Sequence, residues 1–217
     1  MGTFLRKVYT GSEWFMKIVR LNLVWLLFSV AGLFVFSLVP ATVAASQIVQ
    51  HWIKGNTEVK IMATFFDMFK KYYMRSQIVG LLLAVSYFIL YIDFKFFLAI
   101  EHTTIKLIMM SILIILLFLL ITMTIYIFPI LTKTELSYGQ LFKTALYTGL
   151  SYVHWTVMAI AGIIFFLGLT LIFPVSVFFL TGGVIISWLT LVVHVVQRKI
   201  SSKYEEVIMP NQVKEQL

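Results

Sequence analysis

Fifty-four consecutive residues, Thr144 to Gln197, contain no Asp, Glu, Lys or Arg. A soluble core cannot hide a run of that length. At 1.5 Å per residue about 20 helical residues cross a hydrocarbon layer roughly 30 Å thick, so the run holds two membrane helices. Three more charge-free runs follow the same logic: Leu21 to Ile53, Ser76 to Ile92 and Leu107 to Thr132. The fold class is therefore all-α, a polytopic helical membrane protein. Composition agrees, with 12% charged residues against roughly 25% in soluble domains. A soluble enzyme, a disordered tail and a disulfide scaffold are excluded. The absence of cysteine removes disulfides, iron-sulfur clusters, Cys-ligated zinc and S-acylation. The net charge of +8 comes from basic residues that flank the apolar runs and form no single stripe, which fits membrane orientation and excludes nucleic acid.

Proline divides the long runs, because it lacks a backbone donor and disfavours helix in the preceding residue. Pro174 splits the 54-residue run into segments 147–171 and 174–196. Pro40 divides the 33-residue run Leu21 to Ile53, giving a full segment, 16–39, with Lys17 and Arg20 reaching the headgroups at its start, and a short one, 40–54. Single segments are expected at 76–98 and 107–131. The sequence thus predicts six membrane segments in one domain, residues 1–200, followed by a short polar cytoplasmic tail, 201–217. The 40–54 segment reaches only about 22 Å as a helix, so it is either tilted in a thinned site or re-entrant. With six segments, 15 of the 17 Lys and Arg residues fall on the side of both termini, which the positive-inside rule makes cytoplasmic. No removable leader and no myristoylation motif is evident at the start, since Arg6 stands where Ser or Thr is needed.

Two cytoplasmic stretches read as amphipathic elbow helices. In Ala63 to Arg75, Phe65, Phe69 and Tyr72 recur at helical spacing and Asp67 precedes Lys71 by four residues. The second holds Phe142 and Lys143. Phe65, Phe69, Lys70, Lys71, Phe142 and Lys143 are candidates for docking a partner, the alternative being simple anchoring of the next span. Each stretch follows a proline, Pro40 or Pro129, which hints at a weak internal repeat.

The 40–54 segment is the most unusual. On a helical wheel Thr42, Ser46, Gln47, Gln50 and His51 share one half, and that half must meet protein, water or headgroups. Those residues either line a polar cavity or make helix contacts. Ala41 and Ala45 on the other half permit close approach. His154 and His194 lie 20 residues either side of Pro174 and are candidates for a proton-linked role, against the plainer reading of interfacial hydrogen bonding. Asp93 sits close enough to a span end to reach the headgroups. No phosphate loop, nucleophile elbow, HExxH motif or paired carboxylates occur, so no catalytic residue, metal ligand or cofactor is expected, and the chain is read as non-enzymatic.

Residues 14–23 (Trp14-Phe15-Met16-Lys17-Ile18-Val19-Arg20-Leu21-Asn22-Leu23), the Pro40-Ala41-Thr42-Val43-Ala44 turn and Phe65-Phe66-Asp67-Met68-Phe69-Lys70 resemble the YesL-like family of bacterial multi-pass membrane proteins of unknown function, over about residues 1–205. The resemblance implies residence in a bacterial cell (inner) membrane and an association with carbohydrate ABC-type uptake, with importer permease subunits as partners beside the lipid bilayer. Thr134 to Gly139 lacks the Glu-Ala-Ala pattern of an importer permease loop. The expected role is accessory or regulatory. The alternative is a small secondary transporter or channel with a path lined by 40–54. A homo-oligomer is compatible with either.

Overall fold

The computed structural model describes the backbone of residues 2–132 and 136–214, with side chains for residue 9 and for 11–132 and 136–203. Seven α-helices follow in order: α1 Gly2–Ala31, α2 Leu38–Ile53, α3 Ile61–Leu98, α4 Thr103–Leu131, α5 Tyr138–Ser151, α6 Val153–Ile172 and α7 Gly182–Lys214. A π-helical turn, Val177–Thr181, leads into α7. Among the described residues all regular structure is helical. Five helical stretches are long and apolar enough to cross a membrane: Gly11–Ala31, Ile61–Leu98, Thr103–Leu131, Val153–Ile172 and Val177–Lys203. This is a helical membrane protein.

The short helix α2 is the centre. Ten of its 16 residues are buried, and α1, α3, α4 and α7 all pack on it. Its small residues explain the closeness, since Ala41, Ala44 and Ala45 are fully buried and keep side-chain volume out of the interfaces. Around it lie two clusters. One joins Leu21, Ile48, Trp52, Phe65 and Ile186 between α1, α2, α3 and α7. The other joins Tyr126, Leu131, Leu141 and Val193 between α4, α5 and α7. Beyond Leu83 in α3 and before Leu113 in α4 no residue is buried. Most of the distal half of this hairpin is exposed, with Tyr87 and Leu90 partly buried against the second cluster.

Several boundaries differ from the sequence expectation, each for a local reason. The break between the first two segments lies at residues 32–37, not at Pro40. Pro40 sits in the first turn of α2, where its missing N–H would have no intrahelical acceptor, so the proline opens a helix. The turn before it is unusually complete. Gly32, Leu33, Phe34, Val35, Phe36, Ser37 and Leu38 each donate their backbone N–H to a carbonyl within residues 28–34, while Leu33, Phe34, Val35 and Phe36 expose apolar side chains. Leu33 and Phe34 take positive φ, 56° and 58°, the left-handed region that closes a tight turn.

Residues 63–75 do not form a separate surface helix, because α3 runs unbroken from Ile61 to Leu98. No proline or glycine occurs between Ile61 and Val79 to interrupt it. Phe65 is fully buried, and it meets Phe28 of α1 at 4.9 Å between ring centroids. The expected 147–171 segment is broken at Tyr152 (φ −134°, ψ 58°), so residues 147–151 belong to α5. Ser137 and Gln140 build a capping box at the start of α5 and fix it as a helix of its own. The last segment opens with the π turn, and its backbone stays helical to Lys214, into the expected tail. Pro129 lies two residues from the end of α4. It closes a helix where Pro40 opens one, so the two proline-centred stretches are not structural equivalents.

Close approach of α1 and α7 requires glycine at 183. A Cβ there would stand 2.9 Å from the backbone oxygen of Ile18, which cannot move without shifting α1. Gly168 on α6 has open space around it. Gly183→Ala should therefore cost about 1–3 kcal/mol by overpacking, whereas Gly168→Ala should be neutral or stabilising by up to about 1 kcal/mol through helix propensity. Thermal unfolding of both variants in one detergent checks the pair, and equal effects would contradict the packing described.

Candidate functional site

Buried polar side chains in an apolar bundle must find partners, and most of the notable ones here point at the ends of other helices. An α-helix leaves its last four carbonyls without intrahelical donors. The α4 helix ends at Leu131, and α2 supplies what its end lacks. The Gln50 amide donates to the Pro129 carbonyl at 3.0 Å in a buried setting. Gln47 donates to the Thr132 hydroxyl, and the Tyr72 hydroxyl of α3 donates to the Thr132 carbonyl at 3.4 Å. Arg75 reaches the Leu136 carbonyl in the loop that follows. Two glutamines of α2 and two side chains of α3 thus hold the α4–α5 connection.

Thr42 and Ser46, two of the remaining polar residues of α2, are also engaged. Thr42 accepts from the Trp25 indole at 3.2 Å and donates to the Leu38 carbonyl. Ser46 donates to the Val43 carbonyl at 2.9 Å. His51 is half-buried near the end of the helix, where its carbonyl accepts from the Asn56 amide. The five residues do share one helix, and three of them, Thr42, Gln47 and Gln50, bond to α1, to α4 or to the residue that ends it.

A second polar lock was not singled out from the sequence. Asn22 of α1 is fully buried. Its amide donates to the carbonyls of Val177 and Phe178, at 3.2 and 2.7 Å, and its oxygen accepts from the Gly183 amide at 2.8 Å. A π turn leaves its backbone groups poorly matched to a following α-helix, and one asparagine satisfies both kinds. The available signal was the single side-chain amide in the apolar stretch from Leu21 to Val39. Its partners lie 155 to 161 residues away and could not be read. A further buried network ties Tyr126 of α4 to Thr156 of α6 at 3.1 Å, and Thr156 to the Gly149 carbonyl of α5 at 2.9 Å.

Two spaces flank this framework. One, about 540 Å³, is apolar apart from Thr42, Tyr87, Thr124, Thr181 and the Trp25 indole, and lies between α2, α4, α6 and α7. The other, about 710 Å³, sits at the charged end, where Lys54, His194 and Arg198 contribute to its wall. His194 faces this second space. His154 instead contacts the rings of Tyr152 and Trp155 and is absent from the walls of either. Of the docking candidates, Lys70, Lys71 and Lys143 are exposed, while Phe65 is fully buried and Phe69 and Phe142 are partly covered. Phe69 lies 5.3 Å from Phe28 between centroids, so the aromatic stripe faces α1 and the lysines face outward. Among the described residues no three His, Asp or Glu side chains gather as a metal site.

A family model described as a protein of unknown function, DUF624, matches residues 18–94, the stretch that carries Asn22, all of α2 and most of α3. The uncharacterized protein YesL of Bacillus subtilis (strain 168) is 30% identical over 172 residues, covering 79% of this chain and 80% of that protein. The uncharacterized protein YteU of the same organism is 31% identical over 157 residues, 72% of this chain and 70% of its own. YesV, likewise uncharacterized, is 32% identical over 90 residues, 42% of this chain and 43% of its own. No solved structure matches.

The two locks differ in how much each removal exposes. Asn22→Leu strands two carbonyls and one N–H and should cost about 2 kcal/mol or more. Gln50→Leu strands one helix-end carbonyl and should cost about 1 kcal/mol. Chemical or thermal unfolding in detergent reads both; a Gln50 effect larger than the Asn22 effect would contradict this ordering.

Proposed function

We propose a role by contact for this chain, which belongs to the YesL-like family of membrane proteins: a non-enzymatic component that assists or regulates a carbohydrate ABC-type uptake system by binding its permease subunits. The observation that carries this reading is the use made of the polar face of α2. Thr42, Gln47 and Gln50 bond to α1, to α4 or to Thr132 at its end, which supports a structural role for the face. What the chain offers outward includes three exposed lysines, Lys70, Lys71 and Lys143, together with exposed apolar side chains such as Phe66 and Met74. Such a rim suits partners in or beside a membrane. The link to carbohydrate uptake comes from the family resemblance.

The same proposal includes six membrane-embedded segments in a bacterial cell (inner) membrane, with both termini cytoplasmic and α2 re-entrant. On α3, Arg75 and Asp93 are 18 residues apart, about 27 Å, which fits the hydrocarbon thickness of roughly 30 Å. The turn between α1 and α2 lies near the Arg75 end of that interval: the Gln77 amide donates to the Val35 carbonyl, and a methyl on Gly80 would strike Val39. Only this turn and the start of α2 then enter the hydrocarbon, a shallow re-entrant insertion that the turn's saturated backbone and apolar side chains suit, because water cannot complete hydrogen bonds there. Charge counting is silent on this choice, because residues 32–37 carry no charge.

A transport reading keeps one observation in its favour, the 540 Å³ space that Thr42 helps to line. Three measurements separate these ideas. Purification from native cells in mild detergent should recover an importer permease in stoichiometric amount, and a clean preparation without one would count against the contact role. Reconstituted protein should move no sugar; a flux of any member of a broad sugar panel would favour transport. For topology, a cysteine at Val35 should resist labelling from either side and one at Gly55 should label only from the cytoplasm, whereas external labelling at Val35 would make α2 a crossing.

A further inference from the structure

The 710 Å³ cleft is built from α2, α5 and α7, of which α5 and α7 lie outside the residues 18–94 that the family model matches. On α7, His194, Gln197, Arg198 and Ser201 all line it, and their spacing of three, four and seven residues places them on one helix face. Thr144 and Thr148, four residues apart on α5, form the opposite wall. Lys54, at the C-cap of α2, completes it. The described lining thus offers two permanent cations, three hydroxyls, an amide and an imidazole, and it includes no carboxylate.

A helix C-terminus normally repels anions through its free carbonyls. At α2 that effect is muted. The carbonyls of Gln50, His51 and Trp52 already accept from the amides of Lys54, Asn56 and Gly55, and the Lys54 ammonium is added at the same end. The guanidinium of Arg198 can hold two oxygens of one phosphate, and Lys54 can contribute a point charge. Ile53 and Ile200 lie beside these donors, so the cleft is amphipathic. Basic pockets of this kind between membrane helices suit phosphorylated headgroups.

We propose that the cleft is a binding site for a phosphate-bearing anion, with Arg198 and Lys54 as its principal contacts and the α5 and α7 side chains as hydrogen-bonding walls. The phosphate belongs to an anionic phospholipid headgroup or to a soluble phosphorylated solute, and the two sources are distinguished by experiment. The full chain is purified in a neutral maltoside detergent. Native mass spectrometry then counts phosphatidylglycerol retained per chain against phosphatidylcholine, and a parallel arm follows the melting temperature in sodium phosphate against sodium chloride at equal ionic strength. Wild type should retain phosphatidylglycerol at least tenfold better than phosphatidylcholine if the source is lipid. Phosphate should raise its melting temperature if the source is soluble.

Either preference should fall about tenfold in Lys54→Gln/Arg198→Gln. It should survive in Lys54→Arg and in Lys199→Gln/Lys203→Gln, whose charges lie on α7 outside the cleft. Should the double variant fail to fold, Arg198→Gln alone should show the weakening. Equal losses in the Lys199/Lys203 variant would mean diffuse surface charge and overturn the proposal. So would the absence of preference in both arms.

Discussion

The structure depends on one constraint: a side chain amide placed in an apolar bundle must be met by another part of the protein. Asn22, Gln47 and Gln50 are such amides, and each meets backbone or hydroxyl groups at a place where a helix is irregular or ends. Asn22 meets the π turn before α7. Gln47 and Gln50 meet the end of α4. Because Asn22 and Gln50 bond to backbone groups, these bonds set the position of α1 against α7 and of α2 against α4 more sharply than apolar packing could. Leucine and isoleucine tolerate sliding, while a bond of 2.7 to 3.2 Å does not.

The small residues follow from this constraint. Amides as short as asparagine reach a neighbouring backbone only when two helices nearly touch, and Gly183 against Ile18 provides that approach. The same reasoning applies to Ala41, Ala44 and Ala45 on α2, all fully buried. With bulky residues in their place α3 and α7 would stand off, and a helix of 16 residues would be left exposing polar groups to lipid. Shortness, polarity and small side chains are one property of α2 seen three ways. Each is tolerable only because other helices enclose it.

Much of this was legible in the sequence. Charge-free runs gave the helical membrane class, and the wheel of residues 40–54 separated its polar side chains from Ala41, Ala44, Ala45 and Ile48. The boundaries were less legible, since proline marks either end of a helix. At Pro40 it fills the first turn, and at Pro129 it precedes the last residues. Tyr152 ends one helix and starts another with no proline or charge beside it, and the nearby Gly149 lies inside α5 instead of at the break. Amphipathy in residues 63–75 was real, but Phe65 and Phe69 cover Phe28 of α1, and periodicity cannot say whether an apolar stripe meets lipid or protein. The partners of Asn22 lay beyond local pattern altogether.

The unbroken α3 changes how contact at the charged end would act. An elbow hinged near Arg75 could swing without disturbing the membrane segment. A continuous helix cannot, because bending it at Arg75 and Ser76 would break backbone hydrogen bonds of an unbroken α3. The Ser76 hydroxyl, fully buried, adds bonds to the carbonyls of Tyr72 and Tyr73 at that same point. Displacement of the exposed lysines Lys70 and Lys71 is therefore carried into the residues beyond Ser76. Through Tyr72 and Arg75 it is also carried to Thr132 and Leu136, and so to the start of α5. The rod couples the exposed lysines to the α4–α5 connection by direct bonds, a coupling that the proposed contact role would require.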